Sequence, residues 1–170
     1  MAGTGKSTLA QRVAQELHTP LLAFDHFIDE ALPRHLITDP GNWSNNDVFN
    51  LMFSLAELHL SLGISAILDA VFFGDGRDTA RAIATRQQAR FCPIYTYCSD
   101  ETIWRQRVLY RFQAAQPQET PAEWEAIIAS QAQFRPWDPA AALFIDAIHP
   151  VEDNLTRVLA HLQADGAAQM

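Results

Sequence analysis

Gly3-Thr4-Gly5-Lys6-Ser7-Thr8 carries the densest chemistry in the sequence. Glycines let backbone N–H groups close on an anion, and a helix opening directly behind them adds partial positive charge. Lys6 can then reach the β and γ oxygens of a bound triphosphate, and the Ser7 hydroxyl can ligate Mg²⁺. The segment matches the end of the phosphate-loop pattern, in which a glycine, four residues and then Gly-Lys-Ser/Thr open a helix. Gly3, Thr4, Gly5, Lys6, Ser7 and Thr8 are therefore the expected nucleotide-binding residues. A capped glycine turn with a solvated lysine is the alternative, and the helix immediately downstream argues against it. The pattern's first glycine would fall one position before Met1, and the strand that feeds such a loop would lie further upstream. The expectation is a chain without its central amino-terminal strand, either truncated or with its start assigned late.

Two aspartates follow apolar runs that read as strands: Asp25 after Leu21 to Phe24, and Asp69 after Ile64 to Leu68. Carboxylates at strand ends beside a phosphate loop suit metal or acceptor contacts, although each could simply cap a turn. Arg77 could hold a substrate or pair with Asp75 or Asp78. Arg107 and Arg111 are i and i+4 on one expected helix, where cations can cover a transferring phosphoryl group or form a solvated basic face pairing with Glu101 or Glu119. Asp29 is a weaker alternative to Asp25 as a base. The six histidines show no metal-ligand spacing, and none sits beside both a nucleophile and a carboxylate.

The elements that must position these residues follow from periodicity. A first helix is expected from about Lys6 to Leu17, on Leu9, Ala10, Val13, Ala14 and Leu17. Ala31 to Asn46 is irregular, and a helix striped by Val48, Leu51, Met52, Leu55, Leu58 and Leu62 starts after Asn45-Asn46 and stops at Gly63. A helix from about Asp78 to Ala89 and a strand from Ile94 to Cys98 come next, and Ser99-Asp100 caps a helix bearing Ile103, Trp104 and Val108. Residues 113–120 read as a polar lid segment. Thr120-Pro121-Ala122-Glu123 fits a capping box opening a helix that ends before Pro136. Leu143 to Asp146 is the last strand, and Leu155 to Leu162 stripe the last helix before a flexible tail at 164–170. Strands alternating with helices predict an α/β class, with a doubly wound parallel sheet.

The chain has 170 residues and a formal net charge of −8, so one domain is expected and a basic nucleic-acid groove is not. No apolar run approaches the ~20 residues of a membrane span, and the start lacks a secretory h-region; a cytoplasmic location is expected. Cys92 and Cys98 are too far apart along one strand to bridge.

The loop, Asp25, Ile67-Leu68-Asp69-Ala70 with Arg77 eight residues after Asp69, and Arg107 with Arg111 together resemble the phosphate-loop kinases related to zeta toxin and chloramphenicol phosphotransferase. The resemblance implies a P-loop NTPase fold of nucleoside-kinase type, ATP with Mg²⁺, and γ-phosphoryl transfer to a small-molecule hydroxyl. It implies Lys6 on the transferring phosphoryl, Ser7 and Asp69 at the metal, Asp25 at the acceptor hydroxyl and Arg107 and Arg111 as lid arginines. Trp137 lies where the group's adenine pocket tends to form, with ordinary packing as its other reading. The group often has an arginine shortly after its first aspartate, and Asp25-His26-Phe27-Ile28-Asp29 supplies none. A nucleotide-binding switch, an inactive truncated protein and a nucleic-acid 5′-hydroxyl kinase are the competing readings.

Overall fold

The structure, a computed structural model, describes residues 2–30, 44–115, 122–135 and 137–167. It divides into two compact units, one of residues 1–9 with 92–170 and one of residues 10–91. The strands are parallel, so the α/β class stands, with each unit holding a two-stranded sheet.

In the 10–91 unit, β1 (Leu21–Ala23) pairs in parallel with β2 (Ile67–Asp69), with Leu22 opposite Leu68 and Ala23 opposite Asp69. Parallel neighbours need a crossover. Part of it is α3 (Asn45–Ser61), which packs on both strands. Its Val48, Met52 and Ala56 are buried with Leu22 and Ala70, ringed by Phe24, Phe27, Phe49 and Phe72. The helix begins at Ser44, whose hydroxyl accepts from the Asp47 amide while the Asp47 carboxylate accepts from the Ser44 amide at 2.9 Å. It ends as expected at Gly63, where φ is +73° and Ile64 N–H reaches back to the His59 carbonyl at 2.9 Å. Against α3 lies α4 (Gly76–Arg86), burying Ala80 and Ile83 beside Phe53.

Several boundaries differ from the sequence expectation, among them the end of α4 at Arg86 instead of Ala89 and the end of the strand from Ile94 at Tyr97 instead of Cys98. Strand β1 stops at Ala23, and Phe24–His26 forms a helical turn, α2, that widens into a π turn over residues 27–30. Asp25 thus sits in a helical turn rather than at the strand's end. In β2 the strand starts three residues late because Ile64 is still closing α3, and it takes in Asp69. α4 starts at Gly76, two residues before Asp78.

In the other unit, β3 (Ile94–Tyr97) pairs in parallel with β4 (Leu143–Asp146), with Thr96 opposite Ile145 and Tyr97 opposite Asp146. Between them run α5 (Glu101–Ala115) and α6 (Ala122–Gln133), joined by Trp104 and Trp124, whose rings meet edge to face at 4.9 Å. Asp100 caps α5 by accepting from Ile103 N–H at 2.9 Å. The last helix, α7 (Val151–Ala167), lies on β4 and buries Leu155 and Val158. It runs through residues 164–167 of the segment expected to be a tail. Cys92 and Cys98 flank β3 and are free thiols. The irregular segment at 31–43, lid residues 116–121 with the Thr120-Pro121 cap, and Met1 lie outside the described residues, whereas 113–115 continue α5. Among the described residues, no helix is long and apolar enough to cross a membrane.

Candidate functional site

Gly3 and Gly5 both take left-handed backbone angles, φ +74° and +70°, which only glycine adopts without strain. Gly3 has a second reason to lack a side chain: a Cβ there would stand 2.7 Å from Val108 Cγ2 and 3.1 Å from Trp104 Cδ1. The loop is tied down on either side of this contact. Trp104 Nε1 donates to the Ala2 carbonyl at 2.8 Å, and Thr4, 4% exposed, joins hydroxyls with Thr96 at 3.0 Å. Gly5 O accepts from Leu9 N–H at 3.0 Å, and α1 (Lys6–Leu17) begins.

The first turn of α1 contains no acidic residue, so no side-chain carboxylate of that turn offsets the positive end of the helix dipole. Lys6 Nζ donates to Ser7 Oγ at 3.3 Å, which sets the ammonium and the hydroxyl side by side at the helix mouth. Thr8 is exposed one position on. The expected nucleotide-binding residues from Gly3 to Thr8 are thus contiguous in one turn-and-helix junction. These groups fit a polyphosphate: ammonium, hydroxyl, left-handed glycines and an acid-free helix start.

Arg107 lies on α5 and donates from Nη1 to the Ala147 carbonyl at 2.8 Å. Ala147 in turn abuts the loop, its Cβ 3.4 Å from where a Gly5 Cβ would stand. Arg107 is thereby joined to the loop's surroundings through one residue. Arg111 is exposed one turn further along α5.

Asp69, Asp25 and Arg77 belong to the 10–91 unit. Asp69 is 3% exposed at the carboxyl end of β2, opposite Ala23, and Asp25 is half-buried two residues past Ala23. The same end of the β1–β2 pair therefore delivers both carboxylates. Arg77 is the second residue of α4 and is half-buried. Asp29 is exposed in the π turn, and Trp137 is half-buried. Among the described residues, no three His, Cys, Asp or Glu side chains cluster to hold a metal. Magnesium in phosphoryl-transfer sites needs no such cluster, since one or two protein ligands with phosphate and water oxygens complete its shell.

One residue that the sequence did not single out is Asp146. Burial works against its charge, yet hydrogen bonds from Ser99 and Ile148, with His149 nearby, outweigh it and hold the carboxyl below the usual carboxylate range. Its only sequence signal was its position at the end of a strand. A cavity of about 280 Å³ in the same unit is lined by Tyr95, Tyr97, Trp104 and Phe144, with Thr4 on its wall. It lies on the aromatic side of β3 and β4.

A phosphate-loop junction on a parallel α/β framework defines the class, that of nucleoside-triphosphate-binding α/β proteins. Residues 1–136 match the AAA domain family, and the chain belongs to it. Comparison with curated proteins finds no match. Among solved structures, the chain is similar to one described as "a putative kinase" from Chloroflexus aurantiacus, at 24% identity. That likeness covers 95% of this chain and 91% of the other with a TM-score of 0.70, and it shows a shared fold.

Proposed function

We propose that this protein binds ATP with Mg²⁺ and transfers the γ-phosphoryl group to a hydroxyl of a small molecule, as an enzyme of the zeta toxin and chloramphenicol phosphotransferase-like group. The observation that carries the reading is the junction itself: two left-handed glycines, then Lys6 Nζ 3.3 Å from Ser7 Oγ at an acid-free helix start. Backbone amides at Gly3 to Ser7 hold the phosphates, and Lys6 stabilises charge on the transferring group. Ser7 supplies a metal ligand. Mg²⁺ neutralises charge on the β and γ oxygens when bound.

The roles of the other residues rest on the family resemblance. Asp69 is the carboxylate assigned to the metal, Asp25 orients the acceptor hydroxyl or takes its proton, and Arg77 contacts the acceptor. Arg107 and Arg111 act on the phosphoryl oxygens from α5. The setting is cytoplasmic in this reading, and a small-molecule partner suits the net charge of −8, which disfavours polyanionic acceptors.

The test is MgATP consumption against a panel of hydroxyl-bearing small molecules. Acceptor-dependent turnover that disappears in Asp25→Asn supports the kinase; tight MgATP binding with no acceptor-dependent turnover would overturn it in favour of a nucleotide-binding switch.

A further inference from the structure

We infer that Asp146 is a positioning residue for the phosphate loop, acting through the turn at 146–149 that abuts Gly5. The inference rests on the nucleotide-binding reading above and adds to it a residue outside the loop.

Asp146 closes β4 and is 8% exposed. Its Oδ1 accepts from two backbone amides at once, Ser99 N–H at 3.1 Å and Ile148 N–H at 3.2 Å. One carboxylate therefore clamps the chain leaving β3 to the chain leaving β4. The Asp146 carbonyl is held as well, accepting from Asn154 Nδ2 at 2.9 Å. Asn154 is 4% exposed, and the same Nδ2 reaches the His149 carbonyl at 3.5 Å. Its amide orientation is dictated, because the reverse would set its oxygen against two carbonyl oxygens. It keeps this orientation although its buried Oδ1 finds no hydrogen-bond partner among the described residues.

Between the two clamped residues lies Ala147. Its N–H donates to Tyr97 O at 2.7 Å, its carbonyl accepts from Arg107 at 2.8 Å, and its methyl faces Gly5 across a gap that a methyl group would just fill. Ala147 is thus held in place across from the exposed second glycine of the loop. Binding an anion on backbone amides is strongest when the amides are already aimed, because ordering them on binding subtracts from affinity. A neutral, non-accepting side chain at 146 would orphan the Ser99 and Ile148 amides and free the turn. The Asp146 charge is compensated by those amides and by His149.

The experiment compares the full chain with Asp146→Ala, Asp146→Asn and Val158→Ala, reading MgATP affinity by calorimetry and hydrogen exchange of residues 2–9 without nucleotide. Asp146→Ala should weaken MgATP binding by at least about tenfold and speed exchange in residues 2–9. Asp146→Asn, whose oxygen can still accept both amides, should stay within about threefold of the parent. Val158→Ala, a core truncation in α7, should lower the melting temperature and leave affinity and loop exchange unchanged. If Asp146→Ala does not fold, Asn154→Ala reads the same turn by removing the clamp on the Asp146 carbonyl, with the same direction expected. Parent-like affinity and loop exchange in Asp146→Ala or its substitute would overturn the inference, as would equal effects from Val158→Ala. If the parent itself takes no MgATP, the proposed function falls, and the exchange comparison alone decides the role of Asp146.

Discussion

At Gly3 a φ of +74° coincides with Val108 and Trp104 side chains that leave no room for a Cβ, so the position is constrained by conformation and by space together. Gly3→Ala should lose at least ~1–2 kcal/mol from the left-handed angle alone, with a further loss as Val108 moves; a denaturant melt measures it. Gly5 differs, since a Cβ there meets only Ala147 at an ordinary 3.4 Å, and strain dominates. Asp146 adds a pH dependence. Because its folded carboxyl ionises below the ordinary value, it adds stability that is fully present above the unfolded pKa of about 3.9 and is lost as pH falls through the lower folded value. Asp47 shifts the same way through its Ser44 hydrogen bonds. Unfolding measured from pH 6 downward should therefore show acid destabilisation setting in below about pH 4, less steeply in Asp146→Asn than in the parent. An identical slope in both proteins would remove Asp146 from that account.

The elements that position these residues draw stability from packing more than from local preference. Met52 on α3 is fully buried, and Met52→Ala should cost ~2–5 kcal/mol. At the start of the same helix, Ser44→Ala breaks the reciprocal bonds with Asp47 and should cost ~0.5–2 kcal/mol; thermal melts of the two variants compare core with cap. Much at this scale was legible in the sequence. Lys6–Leu17 and Leu143–Asp146 match their expected bounds, and the Asp100 cap is present. Phe24 was not, because a short apolar run reads equally as strand or helix, and the chain here turns helical to bring Phe24 onto Phe49 at 4.8 Å. The ties that hold the loop were hidden for a different reason. Thr4 to Thr96, Trp104 to Ala2 and Arg107 to Ala147 join residues far apart in sequence, and no local pattern encodes such pairings. Arg107 shows the consequence: its spacing suggested a lid arginine, and its hydrogen bond of 2.8 Å to the Ala147 carbonyl emerges only from the fold.

For the whole molecule, parallel strand pairs and a phosphate-loop junction agree with membership of the AAA domain family. A net charge of −8 on 170 residues opposes a nucleic-acid partner, and the protein should not retain RNA or DNA at physiological salt in a filter-binding assay. The proposed chemistry depends on Lys6 and the amides beside it meeting a triphosphate. Calorimetry of MgATP with the parent and Lys6→Ala tests this most directly. Saturable heat is expected in the parent and affinity at least about tenfold weaker in Lys6→Ala, with little change in melting temperature. Absence of binding heat in the parent, or equal affinity in both proteins, would contradict it.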